Sequence, residues 1–235
     1  MLEIRDIHTH YGSSHIVQGV DLTVQSGEVV GVFGRNGVGK TTLLKTIAGW
    51  IPASRGEIRI GETRIDGATP DRICRLGVGF VPEDRRIFPG LSVEENLTLG
   101  FMQVPRRDGA GNRVALARIY QRFPRLDERR RQHGTTLSGG EQQMLAMARV
   151  LVGEPSLLLI DEPSEGLAPM MVAEIYAILT ELKQAGRAIL LVEQNVAQAL
   201  TICDRFIALD RGRIALAGNA GVAADRERLL ATIAV

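Results

Sequence analysis

Val29-Val30-Gly31-Val32-Phe33-Gly34-Arg35-Asn36-Gly37-Val38-Gly39-Lys40-Thr41-Thr42 is the stretch that decides how this chain folds. The apolar run Val29–Phe33 reads as a buried strand, and the residues from Lys40 to Ala48 continue as a helix. Between them Gly34–Thr41 is a full match to G-x-x-x-x-G-K-[ST]. Its glycines let successive backbone N–H groups turn inward, and the helix that follows adds its positive end, so a polyphosphate is held by main chain. The reading places Gly34, Arg35, Asn36, Gly37, Val38, Gly39, Lys40, Thr41 and Thr42 around the phosphates, with Lys40 on the β- and γ-phosphates and Thr41 on Mg²⁺. A Gly-rich turn without a ligand is the plainer alternative, and the strand before and helix after argue against it.

Two stretches downstream share this logic. In Leu137-Ser138-Gly139-Gly140-Glu141-Gln142-Gln143, Ser138 and Glu141 form a capping box for a helix running to about Leu151. Gly139 and Gly140 permit close backbone approach, and the helix N-terminus favours an anion. A plain capped helix explains the Ser and the Glu, but not both glycines and the Gln pair. Farther on, the apolar run Leu157–Ile160 ends in Asp161-Glu162. A carboxylate at the C-terminal end of a buried strand sits beside the phosphate loop in such sheets. Asp161 would hold Mg²⁺ and Glu162 would polarise the attacking water as general base. Alone, an Asp-Glu pair is an ordinary strand exit; the two other motifs change that reading.

Composition narrows the partners. Lys plus Arg is 28 against 27 Asp plus Glu, and aromatic content is 4%, which argues against both a basic nucleic-acid footprint and base-stacking platforms. No nucleic-acid partner is therefore expected. Cys74 and Cys203 have no metal-ligand spacing and read as core thiols in a reducing cytosol. Met1–Asp6 alternates apolar and charged residues without the apolar centre of a signal peptide. No segment approaches the roughly 20 apolar residues of a membrane helix, so a transport role would need other subunits to cross the membrane.

Along the chain, residues 2–7 and 17–24 alternate as half-exposed strands about the Tyr11-Gly12 turn, and 57–65 reads as a hairpin. Val78–Val81 is a buried strand stopped by Pro82. From Glu83 to Val152 the pattern turns helical, with a capping box at Ser92-Val93-Glu94-Glu95, a loop at 106–111 and a solvated helix face at Glu128–Arg131. Strands and helices then alternate at 157–160, 170–184, 188–192, 195–202 and 205–210. The expectation is one α/β domain over 1–235, with an N-terminal β-subdomain and a helical insert at about 83–152.

Phosphate loop, Leu-Ser-Gly-Gly-Glu, then a strand with paired carboxylates is a motif order that resembles the ATPase subunit of an ABC importer. Within that group the chain is similar to the smaller, LivF-like ATPases of branched-chain amino-acid importers. The narrower likeness rests on Val81–Pro89, Asp161–Pro169 and Leu191–Asn195, and on a length without an added C-terminal regulatory domain. It implies a P-loop NTPase cassette that uses ATP and Mg²⁺, with Tyr11 stacking on adenine. Two cassettes would meet head to tail, each nucleotide lying between one phosphate loop and the other subunit's Ser138–Glu141 turn. The implied partners are a sister ATPase in a heterodimer, integral-membrane permease subunits and a periplasmic solute-binding protein, at the cytoplasmic face of the inner membrane.

Three positions depart from the general cassette pattern, as they do in the LivF-like group. Glu83 stands for a glutamine, Ala168 for an aspartate and Gln194 for the switch histidine. A carboxylate about 4 Å from a phosphate oxygen costs about 4 kcal/mol at an effective dielectric near 20, so Glu83 is tolerable if Mg²⁺ lies between them or if its side chain turns away; the expectation is that it ligates Mg²⁺ when the two cassettes close. Gln194 can donate an N–H to the γ-phosphate but carries no positive charge, which implies slow turnover in isolation. Residues 85–100 read either as a surface loop or as the groove that receives a coupling helix of the permease. Other readings stay open: a urea, short-amide or aromatic-acid importer, a lipopolysaccharide-export ATPase, or a soluble ATPase of repair, translation or cluster assembly.

Overall fold

Apolar runs too short to be core helices become strands here, and their neighbours decide which of two sheets they join. The computed structural model describes residues 1–103 and 109–234. Chain order begins β1 (Leu2–Tyr11), β2 (Ser14–Val24), β3 (Val29–Phe33), α1 (Lys40–Ile47), β4 (Arg55–Ile60), β5 (Thr63–Arg64), α2 (Pro70–Arg75) and β6 (Val78–Val81). Helices α3 (Val93–Leu99), α4 (Gly109–Arg122), α5 (Pro124–Glu128) and α6 (Gly139–Leu151) follow. The chain then alternates through β7 (Leu157–Asp161), α7 (Pro169–Gln184), β8 (Ala188–Val192), α8 (Val196–Ala199), β9 (Arg205–Asp210), β10 (Arg213–Asn219) and α9 (Ala223–Ala234). Among these, no helix is long and apolar enough to cross a membrane.

A six-stranded sheet in the order β10-β9-β3-β8-β7-β6 forms the centre, and a four-stranded antiparallel sheet, β2-β1-β4-β5, covers part of it. The central strands β3, β8 and β7 are parallel and buried along their whole length. That is why they read as continuous apolar runs rather than alternating ones. Their residues still alternate in what they touch. Leu158, Ile160, Ile189 and Leu191 pack with the side chains of α6 and α7, whereas Leu157, Leu159, Leu190 and Val192 pack with α1 and the antiparallel sheet. Each such side chain contributes about 1.5–3 kcal/mol by burial, so both layers are fastened to the same three strands.

The structure departs from the sequence reading in several places. Gly109–Gly111, expected in a loop, open α4, because the first turn of a helix lacks intrahelical donors' partners and tolerates glycine there; Arg106–Asp108 lie outside the described residues. The face expected at Glu128–Arg131 is not helical, since α5 stops at Glu128, and Arg129 turns inward. The helix expected at 195–202 is regular only over Val196–Ala199. Cys203 is buried, but Cys74 is only half-buried and is no core thiol.

The paired strands β1 and β2 also join three of the four histidines. His8 Nδ1 and His15 Nε2 share a hydrogen bond of 2.9 Å, His8 Nε2 meets Asp6 Oδ1 at 2.9 Å, and the His10 ring stacks on His15 at 4.1 Å. One nitrogen of the His8–His15 pair must stay unprotonated to accept. Burial, followed by the nearby His10, His8 and Arg213, pushes the pKa of His15 below its ordinary 6.5. A base with a depressed folded pKa contributes stability above the unfolded value and loses it as pH falls through 6.5. The melting temperature is therefore expected to drop from about pH 7 to about pH 5.5, and to drop less in His15→Asn; identical profiles for the two proteins would exclude the cluster as the cause.

Candidate nucleotide site

Three adjacent parallel strands deliver the site. Val32 of β3 lies opposite Val192 of β8, and Val192 opposite Asp161 of β7. The segments beginning at Gly34, Glu193 and Glu162 therefore leave the sheet side by side at its carboxyl edge, where ligands bind in open α/β sheets. Gly34, at φ 142°, can be nothing else, because a Cβ there would lie 2.4 Å from the Leu209 carbonyl oxygen. Gly39, at φ 108°, is the N-cap of α1.

Lys40 is 5% exposed, and its Nζ donates to the carbonyls of Gly34 at 2.9 Å and Arg35 at 3.1 Å. The same ammonium lies 3.7 Å from Glu162 Oε1. Thr41 Oγ1 donates to Asp161 Oδ1 at 3.2 Å, while the buried Asp161 Oδ2 has no hydrogen-bond partner. Burial pushes the Asp161 pKa up to about 6, with the charges of Glu162 and Glu83 adding to it and the Thr41 bond opposing.

Glu162 is held in the left-handed region, at φ 44°, a conformation that costs a non-glycine residue roughly 1–3 kcal/mol and that collects at functional sites. Its N–H donates to the Val192 carbonyl at 2.9 Å, and its Oε2 accepts from Gln194 Nε2 at 2.5 Å. Glu83, Glu162 and Glu165 bring carboxylate oxygens within 4.8 Å of one another. A hydrogen bond with Glu162, then burial and the charges of Glu162 and Glu83, push the pKa of Glu165 up. Sequence reasoning passed over Glu165 although it lies inside the Asp161–Pro169 stretch. The Thr41 hydroxyl, the orphaned Asp161 oxygen and the Glu83 carboxylate are hard-oxygen donors of the kind Mg²⁺ takes.

The turn before α6 has the expected capping box. The Ser138 hydroxyl accepts from the Glu141 N–H at 3.4 Å, and Glu141 Oε2 accepts from the Ser138 N–H at 3.0 Å. Arg129 Nε reaches Glu141 Oε1 at 3.0 Å, so the basic run fastens this turn. A Cβ on Gly140 would come within 2.9 Å of Met171, and one on Gly139 within 3.1 Å of Arg85 Nη1. Among the described residues no hydrogen bond or ion pair joins Ser138–Glu141 to Gly34–Thr42. Tyr11 ends β1 and is 49% exposed.

Arg85 and Arg86 separate. Both are left-handed, at φ 55° and 47°, and Arg149 fastens them by donating to the carbonyls of Arg85 at 3.1 Å and Arg86 at 2.7 Å. The Arg85 guanidinium lies against Gly139, whereas Arg86 lies over the Trp50 ring at 4.3 Å. Arg86 and Arg149 edge a cleft of about 690 Å³ lined by Trp50, Phe80, Phe88, Leu99 and Met102.

Comparisons with known proteins show the family. The ABC transporter family model matches residues 17–165. The chain is 42% identical, over 92% of its length and 91% of the other's, to the high-affinity branched-chain amino acid transport ATP-binding protein BraG of Pseudomonas aeruginosa. It is 34% identical to the probable branched-chain amino acid transport ATP-binding protein LivF of Archaeoglobus fulgidus, over 97% of this chain and 96% of that one. A solved ATP-binding subunit of an ABC transporter superposes with a TM-score of 0.86 at 29% identity, covering 100% of this chain and 95% of that chain. A buried lysine in a glycine loop beside a strained, hydrogen-bonded glutamate, together with these likenesses, makes the chain a member of the ABC transporter family and its ATP-binding, ATP-hydrolysing subunit.

Proposed function

We propose that this ATPase powers import of branched-chain amino acids as one cassette over its whole length, with residues 83–152 as the helical insert. The likeness to BraG along 92% of the chain carries the cargo assignment. ATP lies on the Gly34–Thr42 loop with its adenine on Tyr11, and its γ-phosphate faces the Ser138–Glu141 turn of a second cassette, a sister ATPase. Thr41 and Asp161 hold Mg²⁺, joined by Glu83, and the ion supplies charge neutralisation on the phosphate oxygens. Glu162 takes a proton from the attacking water as that water adds to the γ-phosphorus and the bond to the leaving ADP oxygen breaks. Gln194, already bonded to Glu162, aims that carboxylate and donates to the γ-phosphate.

The subunit sits at the cytoplasmic face of the inner membrane, held by permease subunits, while a periplasmic binding protein selects the solute. The cleft edged by Arg86 and Arg149 suits a permease helix with an apolar face and an acidic end. Arg86→Glu is expected to cut recovery of the membrane subunits with the purified complex by about tenfold while leaving ATP affinity unchanged, and full recovery would move the docking surface elsewhere. The cargo is tested by uptake of labelled leucine and labelled urea in a strain lacking only this chain. Loss of leucine uptake alone, restored by the native chain but not by Lys40→Ala, is the expected result. Loss of urea uptake alone would transfer the same mechanism to a urea importer.

A further inference from the structure

Glu193 is a buried carboxylate, 2% exposed, to which the hydrolytic chemistry gives no role. It follows β8 directly and sits between two loops. Its Oε1 accepts from the Ser164 N–H, in the loop after β7, at 3.2 Å. Its Oε2 accepts from the Gln194 N–H at 3.1 Å. Among the described residues no lysine, arginine or histidine pairs with it. Burial pushes its pKa up, against hydrogen bonding from the Ser164 side chain and from the main chain of Ser164, Asn195 and Gln194. From the third side comes Tyr176 of α7, whose buried hydroxyl has no hydrogen-bond partner and whose pKa is raised by burial and then by the charge of Glu193.

An unpaired buried carboxylate is costly, and it persists where its oxygens are fully used. Among the described residues they face donors: N–H groups from both loops, the Ser164 hydroxyl and a phenol. A glutamine has one acceptor oxygen and would turn its NH₂ toward one of those donors. The two loops so joined carry the ends of the Gln194–Glu162 hydrogen bond. We propose that Glu193 is a positioning residue for ATP hydrolysis, its carboxylate fixing the loops after β7 and β8 so that Gln194 holds Glu162 on the attacking water. This rests on Glu162 being the base, and it acts through Gln194 rather than on the nucleotide.

The test is a double-mutant cycle on the purified full chain, reading kcat, KM and ATP affinity. Glu193→Gln is expected to lower kcat about tenfold with KM and ATP affinity within about twofold, the mark of lost orientation rather than lost binding. In a Gln194→Ala background the same change is expected to cost nothing further, because the link it serves is already gone. A native kcat in Glu193→Gln, or a loss that multiplies with that of Gln194→Ala, would overturn the proposal. Should Glu193→Gln fail to fold, Tyr176→Phe removes only the donor facing the carboxylate. Its expected two- to threefold loss of kcat, from removing the polar group beside the carboxylate, should also vanish beside Gln194→Ala, and full activity would count against Glu193. Glu162→Gln run in parallel separates the levels: native turnover there removes the base assignment itself, whatever the cycle shows.

Discussion

Glu162→Gln is expected to lower ATP turnover by roughly 10²–10⁴-fold, the range that a positioned general base contributes, while ATP binding is kept or tightened. The substitution is nearly isosteric, and the new amide oxygen can still accept from Gln194 Nε2, so the 2.5 Å link between the loops has a successor. What disappears is the carboxylate proposed to take the proton. Binding should not suffer, because Lys40 now lies 3.7 Å from the Glu162 carboxylate and divides its charge between that partner and the phosphates. Neutralising Glu162 frees the ammonium for ATP. Arrested after binding, the protein should accumulate with ATP as a closed pair of cassettes, visible as an ATP-dependent shift to twice the mass on size exclusion. Phosphate release measured at the native rate would take Glu162 out of the base role.

Local rules carried most of what could be read before the structure. The phosphate loop, the capping boxes at Ser92 and Ser138 and the continuous runs of β3, β7 and β8 are each encoded within about ten residues of one another in sequence, where propensity and sterics decide. The short helix α2 was passed over although Thr69-Pro70-Asp71 has a proline at its first turn and an acidic residue behind it. Its six residues are too few to show a period. β10 was missed for another reason: most of its side chains are exposed and it is held by pairing with β9, so its sequence lacks an apolar stripe. Contacts between distant segments were invisible throughout. Nothing local says that Arg129 reaches Glu141, or that Arg85 and Arg86 point to different parts of the molecule. The second separation needs two left-handed residues and the donors of Arg149 to produce it. Glu165 and Glu193 were in view as letters of a motif, but Glu165 gains its carboxylate neighbours, and Glu193 its burial, only when the sheet closes.

Lys40→Met should weaken ATP binding by about 10²-fold or more while leaving the protein folded. The Lys40 ammonium already has partners in the site. It is 5% exposed and spends its donors on the Gly34 and Arg35 carbonyls and its charge on Glu162. Hydrogen bonds to a charged group contribute about 1.5–3 kcal/mol each, and losing two such bonds to phosphate oxygens exceeds the roughly 2.8 kcal/mol that makes a hundredfold change in affinity. Methionine fills a similar volume and brings no charge into the buried site, so Gly34 and Gly39, packed close to the Leu209 and Ile16 carbonyls, keep their conformation. The remaining cost to the fold is two carbonyls without a donor and a glutamate without its cation. The melting temperature should therefore fall as well, by roughly 6–12 °C, about 3 kcal/mol of stability at the lower bound for two such bonds in a chain of this size. Calorimetric titration with ATP and a thermal melt on the same sample separate the two effects. Near-native affinity would mean that the main-chain N–H groups of the loop hold the phosphates by themselves, and that Lys40 serves the loop's shape instead of its ligand.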